Sequence, residues 1–119
     1  MNTVLPLVEL KADSCCAPIT RDAISASDAM QWAPRFKAIG DPARLRLLSL
    51  VAAHEDGEAC VCDLTEAIGL SQGTISHHLK ILVEAGFLAR SRRGTWSYYS
   101  VIAGALGALT SILTDQIDP

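Results

Sequence analysis

Apolar residues recur at steps of three and four from about residue 25 to residue 85, which predicts a run of short helices. Ser25 or Ser27 caps the first, which runs toward Ile39. Met30, Ala33 and Phe36 form its stripe, Pro34 kinks it or opens its second half, and Gly40 ends it. Asp41-Pro42 starts the second, an N-cap followed by proline at the first helical position. Leu45, Leu48 and Ala52 repeat on one face, widened by Leu47, Leu50 and Val51, and the helix stops before His54-Glu55-Asp56-Gly57. A third helix spans roughly Asp63 to Ile68, with Asp63 as its cap and Gly69 as its stop. Ser71 caps a fourth, whose buried positions are Ile75, Leu79 and Leu82, and Gly86 stops it.

The pattern then changes to β-favouring residues. Phe87–Arg90 leads into a hairpin, Ser91-Arg92-Arg93-Gly94 turns, and Trp96–Val101 returns. A last helix begins near Ile102, with Ile102, Leu106, Leu109 and Leu113 as an apolar seam. The simplest partner for that seam is a second copy of the chain. Packing within the chain is the alternative. Residues 1–24 show no period and read as an arm; residues 25–119 form the domain. The expected fold is mainly α with a small β-hairpin, a homodimeric winged helix-turn-helix.

Length and charge refine this picture. A chain of 119 residues holds one domain, and its half-hydrophobic composition supports a core. The net charge of -3 argues against a generally basic coat, yet residues 71–101 carry Lys80, Arg90, Arg92 and Arg93 against Glu84 alone. That local excess aims one face at phosphate. No apolar run approaches the ~20 residues of a membrane span, and no basic-then-apolar leader opens the chain. A cytoplasmic protein with no membrane partner is expected, its four cysteines as thiols rather than disulfides.

The buried stripe of the fourth helix fixes its opposite face. At about 100° per residue, Gly73, Ser76, His77, Lys80 and Glu84 point away from Ile75, Leu79 and Leu82. Small polar groups near the start of such a face suit the major groove of double-stranded DNA. Ser76 and His77 are candidates for base edges and Lys80 for phosphate, and Gly73 permits close approach. Gln72 and Thr74 flank the first turn. His78 lies toward the inner stripe and reads as structural. Arg92 and Arg93, with Arg90, make a cationic wing for phosphate or minor groove; a solvated turn is the alternative.

Cys60 and Cys62 stand at the head of this helix-turn-helix, and Cys15 and Cys16 lie together on the arm. Thiolates select soft ions such as Cd(II), Pb(II), Zn(II), Cu(I) and trivalent arsenic. Residues two apart on a regular helix point about 200° apart, so Cys60 and Cys62 share an ion only where the backbone is extended or irregular. Binding there would remodel the first turn of the helix-turn-helix. Cys15 and Cys16 can supply one or two further sulfurs. His54 is a weaker ligand candidate and reads as a loop residue.

Three segments resemble the ArsR family of metal- and metalloid-sensing repressors. Phe36–Leu48 is similar to its opening signature, Cys60-Val61-Cys62-Asp63-Leu64 to its thiol box, and Ser71–Lys80 to its recognition helix. The resemblance spans about residues 29–113. It implies a homodimer that binds operator DNA when ion-free and leaves it on ion binding. The third thiol of one arsenite-sensing variant would fall near Thr65, so the resemblance implies that an arm cysteine supplies that sulfur, in some variants across the subunit boundary. Four thiols also resemble cadmium and lead sensors. Zinc and cobalt sensors of the family carry His and carboxylate ligands on the last helix; residues 102–117 contain no His, so the resemblance does not extend to that site.

The leading expectation is an arsenite- or antimonite-responsive repressor, with a Cd(II)- or Pb(II)-responsive four-thiolate repressor as the alternative. A redox regulator that forms a disulfide is a different class. An enzyme is disfavoured, because no pocket motif or nucleotide loop accompanies the thiols.

Overall fold

Four of the five described helices begin where a side chain accepts one of the free N–H groups. The computed structural model describes residues 23–117, with side chains as far as Thr114. Helix α1 covers Ala26–Ile39, α2 Pro42–Ala53, α3 Val61–Ile68, α4 Gln72–Glu84 and α5 Ala105–Ile117. Ser25 caps α1 by accepting the N–H of Asp28 at 3.0 Å. Asp41 caps α2 by accepting from Ala43 and Arg44 at 3.0 and 3.2 Å, and the Arg44 N–H holds its carboxyl below the ordinary carboxylate pKa. Ser71 caps α4 through Thr74. Gly69 ends α3 at φ 84°, a left-handed conformation that its lack of a Cβ makes cheap.

Three strands form one antiparallel sheet. Strand β1 is Glu58–Cys60, β2 Leu88–Arg93 and β3 Trp96–Val101, in the order β1-β3-β2. The hairpin is longer than its sequence suggests: Ser91, Arg92 and Arg93 lie in β2, and Arg93 pairs with Trp96 across a two-residue turn. Gly94 supplies that turn's positive φ of 67°. Strand β1 is not evident from periodicity. It has three residues, and its pairing with β3 (Glu58 with Ser100, Ala59 with Tyr99, Cys60 with Tyr98) is tertiary.

The core gathers Leu47, Leu48 and Val51 of α2, Val61 and Leu64 of α3, and Ile75, Leu79 and Leu82 of α4 against Phe87, Leu88 and Tyr99. The expected α4 stripe is therefore the buried one, and all three of its residues are fully buried. Helix α2 is rotated from its expected face: Leu45 is 57% exposed and Ala52 exposed, and Leu47, Leu48 and Val51 go inward. An apolar residue on nearly every side of α2 left periodicity no basis for choosing, and contact with α3 and α4 decides. On α1, Met30 and Ala33 are exposed, while Ala38 is buried and Trp32, Phe36 and Ile39 pack beside it. Helix α1 runs unbroken through Pro34, whose missing N–H falls at an exposed position. Helix α5 starts at Ala105, after the Ile102 N–H is taken by Phe87 O at 2.9 Å.

Truncating Leu79 to Ala should cost about 2–5 kcal/mol of unfolding free energy, because its site is closed on all sides. Leu45→Ala should stay within about 0.5 kcal/mol. Denaturant melts of both variants check the rotation of α2.

Candidate DNA-reading face and thiol pair

Burial of Ile75, Leu79 and Leu82 turns the rest of α4 outward. Gln72, Gly73, Thr74, Ser76, His77 and Lys80 are all exposed. A Cβ added at Gly73 would meet nothing within 4 Å, so the helix surface there is open. The Thr74 hydroxyl is less free than its exposure suggests, since it accepts from Ser71 Oγ at 2.9 Å in the cap. His78 is half-buried, and its Nδ1 accepts from the Arg44 guanidinium at 3.1 Å. Arg44 also donates to Ala38 O, so this side chain ties α4 to α2 and to the end of α1.

A cleft of about 550 Å³ separates α4 from the wing. Gln72, Ser76 and Lys80 line one wall, and Arg90, Arg92 and Trp96 the other. No acidic side chain lines it among the described residues. Trp96, half-exposed at the start of β3 and paired with Arg93 beside the turn, reads in the sequence only as a strand residue, yet it also lines the cleft.

The two wing arginines part company. Alternation along β2 puts Arg90 and Arg92 on the face toward α4, and Arg93 on the other. There Arg93 pairs with Glu58 of β1 at 2.5 Å and lies 4.5 Å over the Tyr98 ring. Glu58 holds the Arg93 guanidinium above its ordinary pKa. The sequence places Arg90, Arg92 and Arg93 together on the wing; within the sheet Arg93 is engaged by Glu58 while Arg92 faces the cleft.

Cys60 is the last residue of β1 and the N-cap of α3. Its φ and ψ of −77° and 145° are extended, the condition under which it and Cys62 can face one ion. Its Sγ accepts the Cys62 N–H at 3.3 Å, so the cap of α3 is a thiol. Asp63 is not that cap; it sits in the first turn, where a negative charge suits the helix N-terminus. Cys60 is buried and Cys62 exposed. Contact with Cys60, its largest influence, pushes the Cys62 thiol above its ordinary pKa, and Asp63 nearby adds to this.

Among the described residues no cluster of three or more His, Cys, Asp or Glu could hold a metal ion. Thr65 donates its hydroxyl to Val61 O at 2.8 Å and offers no thiol. His54 caps the end of α2 and donates from Nδ1 to Leu50 O at 2.8 Å. Cys15 and Cys16 lie outside the described residues. Likewise among the described residues, no helix is long and apolar enough to cross a membrane.

The family model described as bacterial regulatory protein, arsR family, matches residues 41–90, the segment from the α2 cap to the wing. An uncharacterized HTH-type transcriptional regulator of Methanocaldococcus jannaschii is 46% identical over 67 residues, 56% of this chain and 73% of that protein. The arsenical resistance operon repressor of Bacillus subtilis is 39% identical over 71 residues, 60% of this chain and 66% of that one. Among solved structures, the homodimeric winged helix-turn-helix DNA-binding domain of a possible ArsR-family regulator from Mycobacterium bovis superposes with a TM-score of 0.62 at 27% identity, over 85% of this chain and 91% of that one. The chain belongs to the arsR family of bacterial regulatory proteins, winged helix-turn-helix transcriptional regulators and not enzymes.

Proposed function

We propose that the chain is an arsenite- or antimonite-responsive repressor. As a homodimer it binds operator duplex when ion-free and is released when thiolates take up the ion. The observation that carries this reading is the double duty of Cys60, which ends β1 and caps the first helix of the helix-turn-helix through its sulfur. An ion drawn to the Cys60 and Cys62 sulfurs displaces their protons and competes with the Cys62 N–H for Cys60. Helix α3 then loses its cap, and α3 packs directly on α4, the reading helix. The described residues offer two soft donors, so Cys15 or Cys16 supplies the third sulfur for arsenite. Both would join in a four-thiolate site for Cd(II) or Pb(II). The naming of the Bacillus relative supports the arsenical reading.

Serine puts a hydroxyl acceptor where the capping sulfur stands and removes the soft ligand. Cys60→Ser and Cys62→Ser should therefore hold operator affinity near wild type and lose ion-driven release. The check is release of an operator, selected from a random duplex pool, by arsenite, antimonite, Cd(II) and Pb(II) in turn. Release of a variant lacking both Cys15 and Cys16 at wild-type arsenite levels would remove the arm from the site. A response confined to Cd(II) or Pb(II) would select the four-thiolate alternative. A 100-fold change in affinity needs only ~2.7 kcal/mol of coupling, within the ordinary allosteric range.

For the DNA face, Ser76→Ala and His77→Ala should shift sequence preference, each lost base contact costing ~1–3 kcal/mol. Arg92→Ala should weaken binding to all sequences and flatten its salt dependence. Equal losses on every sequence for all three variants would contradict the assigned face.

Leu106 and Leu113 of α5 are each 41% exposed and Ile102 39%, while Leu109 alone of that seam is buried within the chain. We expect the exposed three to meet a partner copy, placing two readers about one helical turn, ~34 Å, apart. Leu113→Glu should give a folded monomer by sedimentation and circular dichroism, with operator affinity lost. A dimer of unchanged affinity would contradict that interface.

A further inference from the structure

Glu58, Tyr98 and Arg93 form one stripe across all three strands, on the sheet face opposite the cleft. Arg93 keeps 55% of its side-chain surface exposed, so it is held but not enclosed. Arg92, its neighbour, projects from the other face of the same hairpin end into the cleft. A wing lying in a minor groove about 6 Å wide has a phosphate strand on either side, so each face of its tip meets one. Arg92 is placed for one strand. Arg93 is placed for the other, but a carboxylate already occupies it.

We propose that Glu58 is an intramolecular competitor that positions Arg93 away from DNA phosphate, making Arg93 a conditional contact of the wing. A carboxylate and a phosphate present the same kind of oxygen acceptors to a guanidinium, and Glu58 on Nη2 both offsets the charge of Arg93 and draws its fork toward β1. The Tyr98 ring, 4.5 Å from the guanidinium carbon, holds it against the sheet while Glu58 has it. Glu58 lies two residues before Cys60 on β1, so the competitor rides on the strand that ends in the thiol pair. The inference rests on the reading that the wing meets DNA, and the test separates the two.

The test is a double-mutant cycle of Glu58→Gln and Arg93→Gln in the full-length, ion-free protein. It is read as affinity for a random-sequence DNA duplex over a range of salt. Random sequence is sufficient because phosphate contacts are sequence-independent. With Arg93 present, Glu58→Gln should tighten binding about two- to fivefold, the scale of a surface ion pair. It should also steepen the slope of log K against log salt by about 0.9, one more phosphate neutralised. In the Arg93→Gln background both effects should vanish. Equal tightening in both backgrounds would mean a general loss of negative charge, and no tightening would mean no competition; either overturns the proposal. Arg92→Gln distinguishes the underlying reading. If it flattens the slope while the cycle shows no coupling, the wing meets DNA and the competition alone fails. If neither arginine affects the slope, the wing reading falls and the proposal with it. Circular dichroism confirms that each variant is folded.

Discussion

The burial of Ile75, Leu79 and Leu82 is the constraint on which the rest of the molecule depends. These three side chains are fully removed from water. Each contributes roughly 1.5–3 kcal/mol toward holding α4 in one rotation. Any other rotation would expose them and bury Ser76, His77 or Lys80 without partners. The core thus selects the polar face that is offered outward, and no contact made by that face is needed to hold it there. The clasp from Arg44 to His78 and Ala38 supplements this from the helix edge.

A second constraint operates at residues 58–62, where one short segment is strand, cap and helix in succession. Backbone pairing with β3 holds Cys60 extended, and its sulfur then closes the first turn of α3. A thiol is a weaker cap than a hydroxyl or carboxylate, whose oxygens are the preferred acceptors at this position. That choice makes sense where the sulfur has a second use. The same sheet carries the wing, so the thiol pair, α3 and the hairpin share one framework. Short-range packing and pairing suffice to connect them, with no long path to invoke.

Much of this was legible in the sequence, and for identifiable reasons. The Asp41-Pro42 and Ser71 starts, the Gly69 stop and the α4 stripe are local signals, and each stands where the sequence places it. Helix α2 misled because Leu45, Leu47, Leu48, Leu50 and Val51 offer several apolar faces, and only contact with α3 and α4 selects among them. Strand β1 pairs with residues 38 to 42 positions away and the Glu58–Arg93 pair joins residues 35 apart, relations that no local pattern encodes. The separation of Arg92 from Arg93 followed from the turn being two residues long, which moved both into β2 and made alternation decisive. The thiol pair was legible as a pair. The role of Cys60 as a cap was not, because sequence rules place oxygen-bearing side chains there and pointed to Asp63.

The most direct test of the central claim is X-ray absorption at the arsenic edge of the arsenite-loaded protein, for wild type and for Cys60→Ser and Cys62→Ser. The account predicts a first shell made of sulfur alone in wild type, with sulfur neighbours lost in each variant. An oxygen-bearing shell in wild type, or a sulfur shell that survives unchanged in both variants, would contradict it.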